Sequence, residues 1–228
     1  MKRFVQYIVL VSLLYLTCFI STQAQRTKAS IYKIDLSGQW NFLIDSLDQG
    51  ITQHWFTREL ADEINLPGSM TTNGKGNDIT INTPWTGSIV DSSWFFKPAY
   101  AKYRQPGNIK VPFWLQPIKY YKGAAWYQKE VTIPSSWKGK HIELFIERSH
   151  WETTVWIDDK KVGMKNSLGA PDVFDLTNSL NTGTHKITIR IDNRIKEINV
   201  GQNSHSVSDH TQTNWNGMIG KLFIMARP

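Results

Sequence analysis

From residue 124 to the C-terminus, apolar and polar side chains alternate in short runs. Ile142, Leu144 and Ile146 interleave with His141, Glu143, Phe145 and Glu147, and Ile187, Ile189 and Ile191 interleave with Lys186, Thr188, Arg190 and Asp192. A period of two sends successive side chains to opposite faces, so each run reads as a strand with one dry face and one wet face. The segments AAWYQKEVTIP, HIELFIERS, TTVWIDD, KKVG, DVFDLT, HKITIRID and KLFIMA are separated by turn formers, and together they predict five or six strands. Helical periodicity is almost absent. The pattern therefore predicts an all-β fold, a jelly-roll β-sandwich.

Upstream the pattern is less regular. Residues 31–44, IYKIDLSGQWNFLI, read as two strands joined at Ser37-Gly38, an edge hairpin with Trp40, Phe42 and Ile44 on one face. Residues 45–60 have room for one short helix, and the strand Glu63 to Leu66 stops at Pro67-Gly68. Between Gly68 and Lys122, turn formers such as Asn73-Gly74 and Pro106-Gly107 are interleaved with Trp85, Trp94, Phe95, Phe96, Tyr100, Tyr103, Phe113 and Trp114. A loop-rich stretch of that length inside a domain is either functional or a seal of aromatic rings over the sandwich edge, and both readings stay open here.

The first 24 residues change the expected location of the product. Lys2 and Arg3 precede an apolar stretch through Ile20, and small residues follow up to Ala24, the layout of a secretory signal peptide cut after Ala24. The expectation is a periplasmic or secreted protein with no membrane association after cleavage. Residues 25–228 then form one domain. Cleavage removes Cys18, the single cysteine, which excludes disulfides and thiol chemistry from the mature chain. It also removes two of the 26 basic residues, leaving 24 against 19 acidic ones and a net charge of +5. These charges are scattered along the strands, which argues against a nucleic-acid partner.

Several motifs occur in order: AWYQKEVTIP, WKGK, ERSHWETTVWIDDKKVG, FDLT, IRIDN and NWNGMIGKL. Taken together they make the chain resemble the N-terminal sugar-binding domain of glycoside hydrolase family 2, the family of β-galactosidases, β-glucuronidases and β-mannosidases. The resemblance runs from about Ser37 to the end and is strongest from Trp126 to Gly220. It implies a galactose-binding-domain-like jelly roll, carbohydrate as ligand, and a catalytic barrel, in the same or a neighbouring chain, as partner. In that family two glutamates on a (β/α)₈ barrel perform catalysis, and a barrel needs roughly 250 residues of its own. Retaining hydrolysis also requires two carboxyl groups about 5 Å apart. Glu130, Glu143, Glu147 and Glu152 fall at wet-face positions and read as solvated surface. The expectation is a fragment without catalytic residues and without a cofactor. The rival readings are a stand-alone carbohydrate-binding module of lectin type and a purely structural β-sandwich domain.

Candidate binding residues lie in the polar loop SHSVSDHTQTNWNG before the last strand. By resemblance this loop reaches the sugar, which makes Asp209, His210, Asn214, Trp215 and Asn216 the sugar-binding candidates. Amides and carboxylates there would hold hydroxyl groups, and Trp215 would pack on the apolar face of a pyranose. The opposing reading has Asp209 and Asn216 capping turns and Trp215 filling the sandwich edge. His205, Asp209 and His210 match no defined metal spacing, so no metal is expected. Where other family members carry an arginine after the glycine pair, this chain has Gly220-Lys221.

Overall fold

A computed structural model describes residues 32–83, 92–110, 118–167, 169–194 and 214–228. The described residues build thirteen strands: β1 (Tyr32–Asp35), β2 (Gly38–Asp45), β3 (Asp62–Leu66), β4 (Gly68–Ser69), β5 (Asn77–Asp78), β6 (Lys119–Tyr120), β7 (Ala124–Ile133), β8 (His141–Ser149), β9 (Glu152–Ile157), β10 (Lys160–Asn166), β11 (Asp172–Asp175), β12 (Gly183–Asp192) and β13 (Gly217–Arg227). One antiparallel sheet runs β1-β13-β8-β11, with β4 also on β13; the other runs β10-β9-β12-β7-β2-β3, and β5 pairs with β6 as a separate ribbon. Among the described residues seven strands run from Ala124 onward, where the pattern predicts five or six.

The dry faces of the two sheets meet. Ile142, Leu144, Ile146, Leu222 and Ile224 of the first sheet share one core with Phe42, Tyr127, Val155, Ile157, Ile187, Ile189 and Ile191 of the second. The alternation identifies this face residue by residue, as expected of an all-β jelly-roll sandwich. β9 and β10 pair across a reversal at Asp158, which takes φ 54°.

The edge hairpin over residues 31–44 does not form. β1 pairs with β13 in one sheet, whereas β2 pairs with β3 and β7 in the other, so the chain crosses between layers at Ser37-Gly38. Asp35 accepts hydrogen bonds from the backbone and hydroxyl of Ser37, and Gly38 takes φ 98°, which turns the chain without closing a hairpin. Alternation reports which face a side chain occupies but not which strand lies beside it.

The second correction concerns the wet face of β12. Thr188, Arg190 and Asp192 are as buried as the isoleucines between them. Residues 46–60 fold back over this face, and Trp55 and Leu60 pack with Trp126 and Trp156 in a second apolar cluster. Within this segment the expected short helix is a single 3₁₀ turn, Trp55–Thr57. Gln128, on the same face, accepts from the Leu60 amide and donates to the Trp55 and Arg58 carbonyls, stitching the segment down. Nor are all the glutamates free in solvent. The Glu152 carboxylate meets Arg190 at 3.2 Å, and Glu143 pairs with Arg227 at 2.8 Å.

Trp94 centres a third, small cluster with Ile79, Tyr100, Ile109 and Tyr120 beside the β5-β6 ribbon. Trp94 and Tyr100 of the aromatic-rich stretch thus pack apart from the main core, while Trp85, Phe113 and Trp114 lie outside the described residues.

Candidate functional site

Between β12 and β13 the described residues stop at Arg194 and resume at Asn214. Asp209 and His210, two of the five candidate residues, lie outside the described residues, as does His205. The two roots of the segment, however, are held by one buried cluster at the end of the sandwich where β7 and β13 begin and β12 ends.

Two asparagine amides form the cluster. Asn193 accepts the Gly123 amide at 2.7 Å and donates to the carbonyls of Tyr121 at 2.9 Å and Trp215 at 3.2 Å. Asn216 accepts the Tyr127 hydroxyl at 2.7 Å and donates to the carbonyls of Gly123 and Ile191, each at 3.0 Å. Both residues are about 1% exposed. Side-chain amides carry two donors and an acceptor in fixed geometry, so each can join three chain segments that strand ladders leave apart. Burial pushes the Tyr127 hydroxyl well above its usual range, with Tyr121 nearby adding to the shift, so Tyr127 stays a donor to Asn216.

Asn216 therefore spends its amide inside the protein. Of the three candidates among the described residues it sits deepest, and its geometry is that of an anchor for the loop root. Its neighbour Trp215 is partly buried, and the Trp215 ring lies 4.9 Å from the His150 ring at a 32° tilt. His150 Nδ1 donates to the Trp215 carbonyl at 2.8 Å. Burial lowers the His150 pKa to about 4, against the opposing pull of that hydrogen bond, so the ring is neutral at pH 7. Next to it, the Trp151 indole donates to the Arg194 carbonyl at 3.0 Å, fixing the other root. Asn214 is partly buried, and its Oδ1 has no partner among the described residues.

Close packing makes Gly217 necessary where β13 begins. A Cβ there would lie 2.5 Å from the Gly68 carbonyl oxygen and 2.8 Å from Ser69 Cα, because β4 crosses directly over it. The Met70 amide then donates to the Asn216 carbonyl at 2.7 Å, tying the turn after β4 to the same root.

Beside the clamp runs an ion network. Arg190, 3% exposed at its side chain, meets Asp48 at 2.6 Å, Asp192 at 3.0 Å and Glu152 at 3.2 Å. Arg194 bridges Asp192 and Asp48 as well. Partial burial alone would raise the Asp48 pKa, but the hydrogen bonds from Arg194 and Arg190 outweigh it and hold the carboxyl below its usual value. Asp45 anchors the start of the covering segment by accepting the Gln49 and Gly50 amides and the Trp126 indole. The sequence reading missed Asn193, His150, Trp151 and this network. Asn193 closes the IRIDN motif and His150-Trp151 sits inside ERSHWE; a polar residue ending an otherwise apolar strand was the available signal.

Among the described residues, no group of three or more His, Cys, Asp or Glu side chains is arranged to hold a metal ion. The carboxylates of the network are committed to arginines, and Glu147 accepts the Lys221 amide at 2.8 Å.

Comparison with known proteins adds the following. Residues 34–228 match the family model described as glycosyl hydrolases family 2, sugar binding domain. A β-galactosidase of Priestia megaterium is 23% identical over 164 residues, spanning 72% of this chain and 14% of that protein. A β-glucuronidase of Canis lupus familiaris is 23% identical over 182 residues, spanning 75% of this chain and 22% of that protein. Among solved structures, a β-glucuronidase from an uncultured Clostridium species superposes with a TM-score of 0.57 at 17% identity, covering 89% of this chain and 30% of that one. The Ruminococcus gnavus β-glucuronidase gives 0.56 at 16% identity, covering 87% and 29%. The chain thus spans less than a third of the length of each of these proteins.

Proposed function

Since the chain belongs to the sugar-binding domain of the family 2 glycosyl hydrolases, we propose that it binds a saccharide at the end of the sandwich where β12 ends and β13 begins, and that it has no hydrolytic activity of its own. The observation that carries the reading is the clamp. Asn193, Asn216, His150 and Trp151 hold both roots of one segment against a rigid platform, with the partly exposed Trp215 at its edge. Rigid scaffolds presenting a loop in this way are where binding residues concentrate. Asp209, His210 and Asn214 are proposed as hydroxyl partners and Trp215 as the ring surface. Asn216 is proposed to act through the loop it positions.

The non-catalytic part of the proposal rests on the carboxylates. Glu143 and Glu152 are paired with arginines and Glu147 accepts a backbone amide, so none of the three stands as one of a cooperating acid and nucleophile. A catalytic barrel, in the same polypeptide or another, is the proposed partner. The N-terminal 24 residues are proposed to direct export to the periplasm or medium. Tryptophan fluorescence titration of the folded domain across a saccharide panel tests the binding reading: saturable quenching lost in Trp215→Ala supports it, and a flat response throughout the panel favours a purely structural domain.

A further inference from the structure

At the end of the sandwich opposite the clamp, a cavity of about 360 Å³ opens between the end of β7, the 3₁₀ turn Ser135–Trp137, the start of β8 and the turn that leads into β12. Its size falls within the roughly 300–1,000 Å³ of small-molecule sites. Ile133, Trp137 and Leu180, all buried, give it an apolar floor, and Lys138, Lys140, Asn181 and Thr182 form a polar rim.

Floor and rim hold donors that the fold does not use. A buried indole N–H ordinarily finds an acceptor, and those of Trp40, Trp94, Trp126 and Trp151 donate to Leu36, Lys110, Asp45 and Arg194 in turn. Trp137 is 3% exposed, yet its indole hydrogen-bonds no protein group among the described residues. Nor, among those residues, do the side chains of Lys138, Asn181 and Thr182. The Lys140 ammonium rests 4.9 Å from the Tyr32 ring centroid, a contact that orients it without giving its N–H groups an acceptor.

Charge sets the ligand class. Two ammonium groups line the cavity and no carboxylate does. Carboxylates on the adjoining strands and turns have partners of their own: Asp158 pairs with His185 at 2.9 Å, Asp175 accepts the Thr177 amide at 2.9 Å, and Glu143 pairs with Arg227 at 2.8 Å. An anion entering here would meet unspent donors and no competing negative group on the wall, and charge-assisted hydrogen bonds of this kind are the strong ones.

We infer that this cavity binds a small organic anion, its carboxylate or sulfate group received by Lys138, Lys140 and the Trp137 indole and its apolar body laid on Ile133 and Leu180. The inference is independent of the saccharide-binding reading, since the two sites lie at opposite ends of β7 and β12 and share no residue.

Titration of the folded chain with benzoate and with phenyl sulfate tests it, followed by calorimetry and by the indole N–H resonances of isotope-labelled protein. Benzyl alcohol serves as the neutral control and inorganic sulfate as the head group alone. At least one of the two organic anions is expected to saturate and to shift the Trp137 indole resonance, assigned by its loss in Trp137→Phe; the tighter of the two identifies the preferred head group. Benzyl alcohol and inorganic sulfate are each expected to bind about tenfold more weakly or worse, a difference of about 1.4 kcal/mol or more. Lys138→Ala removes an ammonium with no protein partner to lose, and together with Lys140→Ala it is expected to weaken the anion about tenfold or more, with thermal melts confirming each variant's fold. Saturation by neither organic anion, an isotherm indifferent to both lysines, or benzyl alcohol bound as tightly as benzoate would each overturn the inference. Inorganic sulfate bound as tightly as the organic anions would overturn it too, by reducing the cavity to a patch of charge.

Discussion

Single residues at the loop end carry consequences that can be measured separately. Asn216 makes three buried hydrogen bonds, and truncation strands the Tyr127 hydroxyl and two carbonyls. Asn216→Ala is expected to cost about 3 kcal/mol in denaturant unfolding, since each unmet buried polar group costs on the order of 1 kcal/mol or more. A loss under about half of that would show that water replaces the amide. His150 and Asp172 act in opposite directions with pH. The folded pKa of His150, about 4, lies below its ordinary 6.5, so its contribution is present above pH 6.5 and is lost as pH falls toward 4. His150→Gln keeps a donor for the Trp215 carbonyl and is expected to flatten the acid side of the melting-temperature profile. Asp172 accepts the Ser149 hydroxyl at 2.6 Å, but its Oδ1 is buried without a partner. Burial outweighs the Ser149 and Thr153 hydrogen bonds and raises its pKa, so its contribution is full below the ordinary carboxyl value and declines as pH rises through the raised one. Asp172→Asn is therefore expected to melt higher than wild type at pH 7, and an unchanged or lower melting temperature there would contradict the assignment.

At the scale of elements, β12 shows what sequence pattern reveals and what it conceals. Ile187, Ile189 and Ile191 are legible as core because apolar residues at every second position have one cheap destination. Arg190 and Asp192 read equally well as solvated, because nothing local distinguishes a charge facing water from one facing a partner some 140 residues away. Asp48, on the covering segment, is that partner. The edge hairpin failed for the same reason: residues 31–44 carry the right periodicity, while pairing is decided by β7, β13 and β3. Arg190 is the element-scale test. Arg190→Met removes one of the two arginines that pair with Asp192 among the described residues, and Asp192 is 0% exposed. Breaking a buried ion pair from one side costs roughly 3–5 kcal/mol, and the loss should appear as increased amide exchange across residues 46–60. Gly50→Ala should loosen the same segment, because a Cβ there would collide with the Trp126 indole nitrogen.

For the whole molecule, the two-layer antiparallel sandwich was legible from periodicity, and the family from the ordered motifs of residues 126–220. The site was legible only in part. The sequence pointed to the polar loop, and the structure adds the buried amides that hold its roots, which join the residues before β7, the end of β12 and the start of β13. Such convergence leaves no local signature, since each amide is an ordinary Asn in its own neighbourhood. Export belongs to this scale too: the mature chain secreted by a bacterial host is expected to begin at Gln25, read by intact-mass spectrometry, and retention of the first 24 residues would contradict the signal-peptide reading. The central claim, a saccharide-binding end on a rigid sandwich, is tested most directly by amide chemical-shift mapping during saccharide titration of the folded domain. Shifts gathered at residues 120–124, 192–194 and 214–217 are the expected result; saturable binding whose shifts gather instead at the opposite end, around residues 133–142 and 177–183, would contradict it.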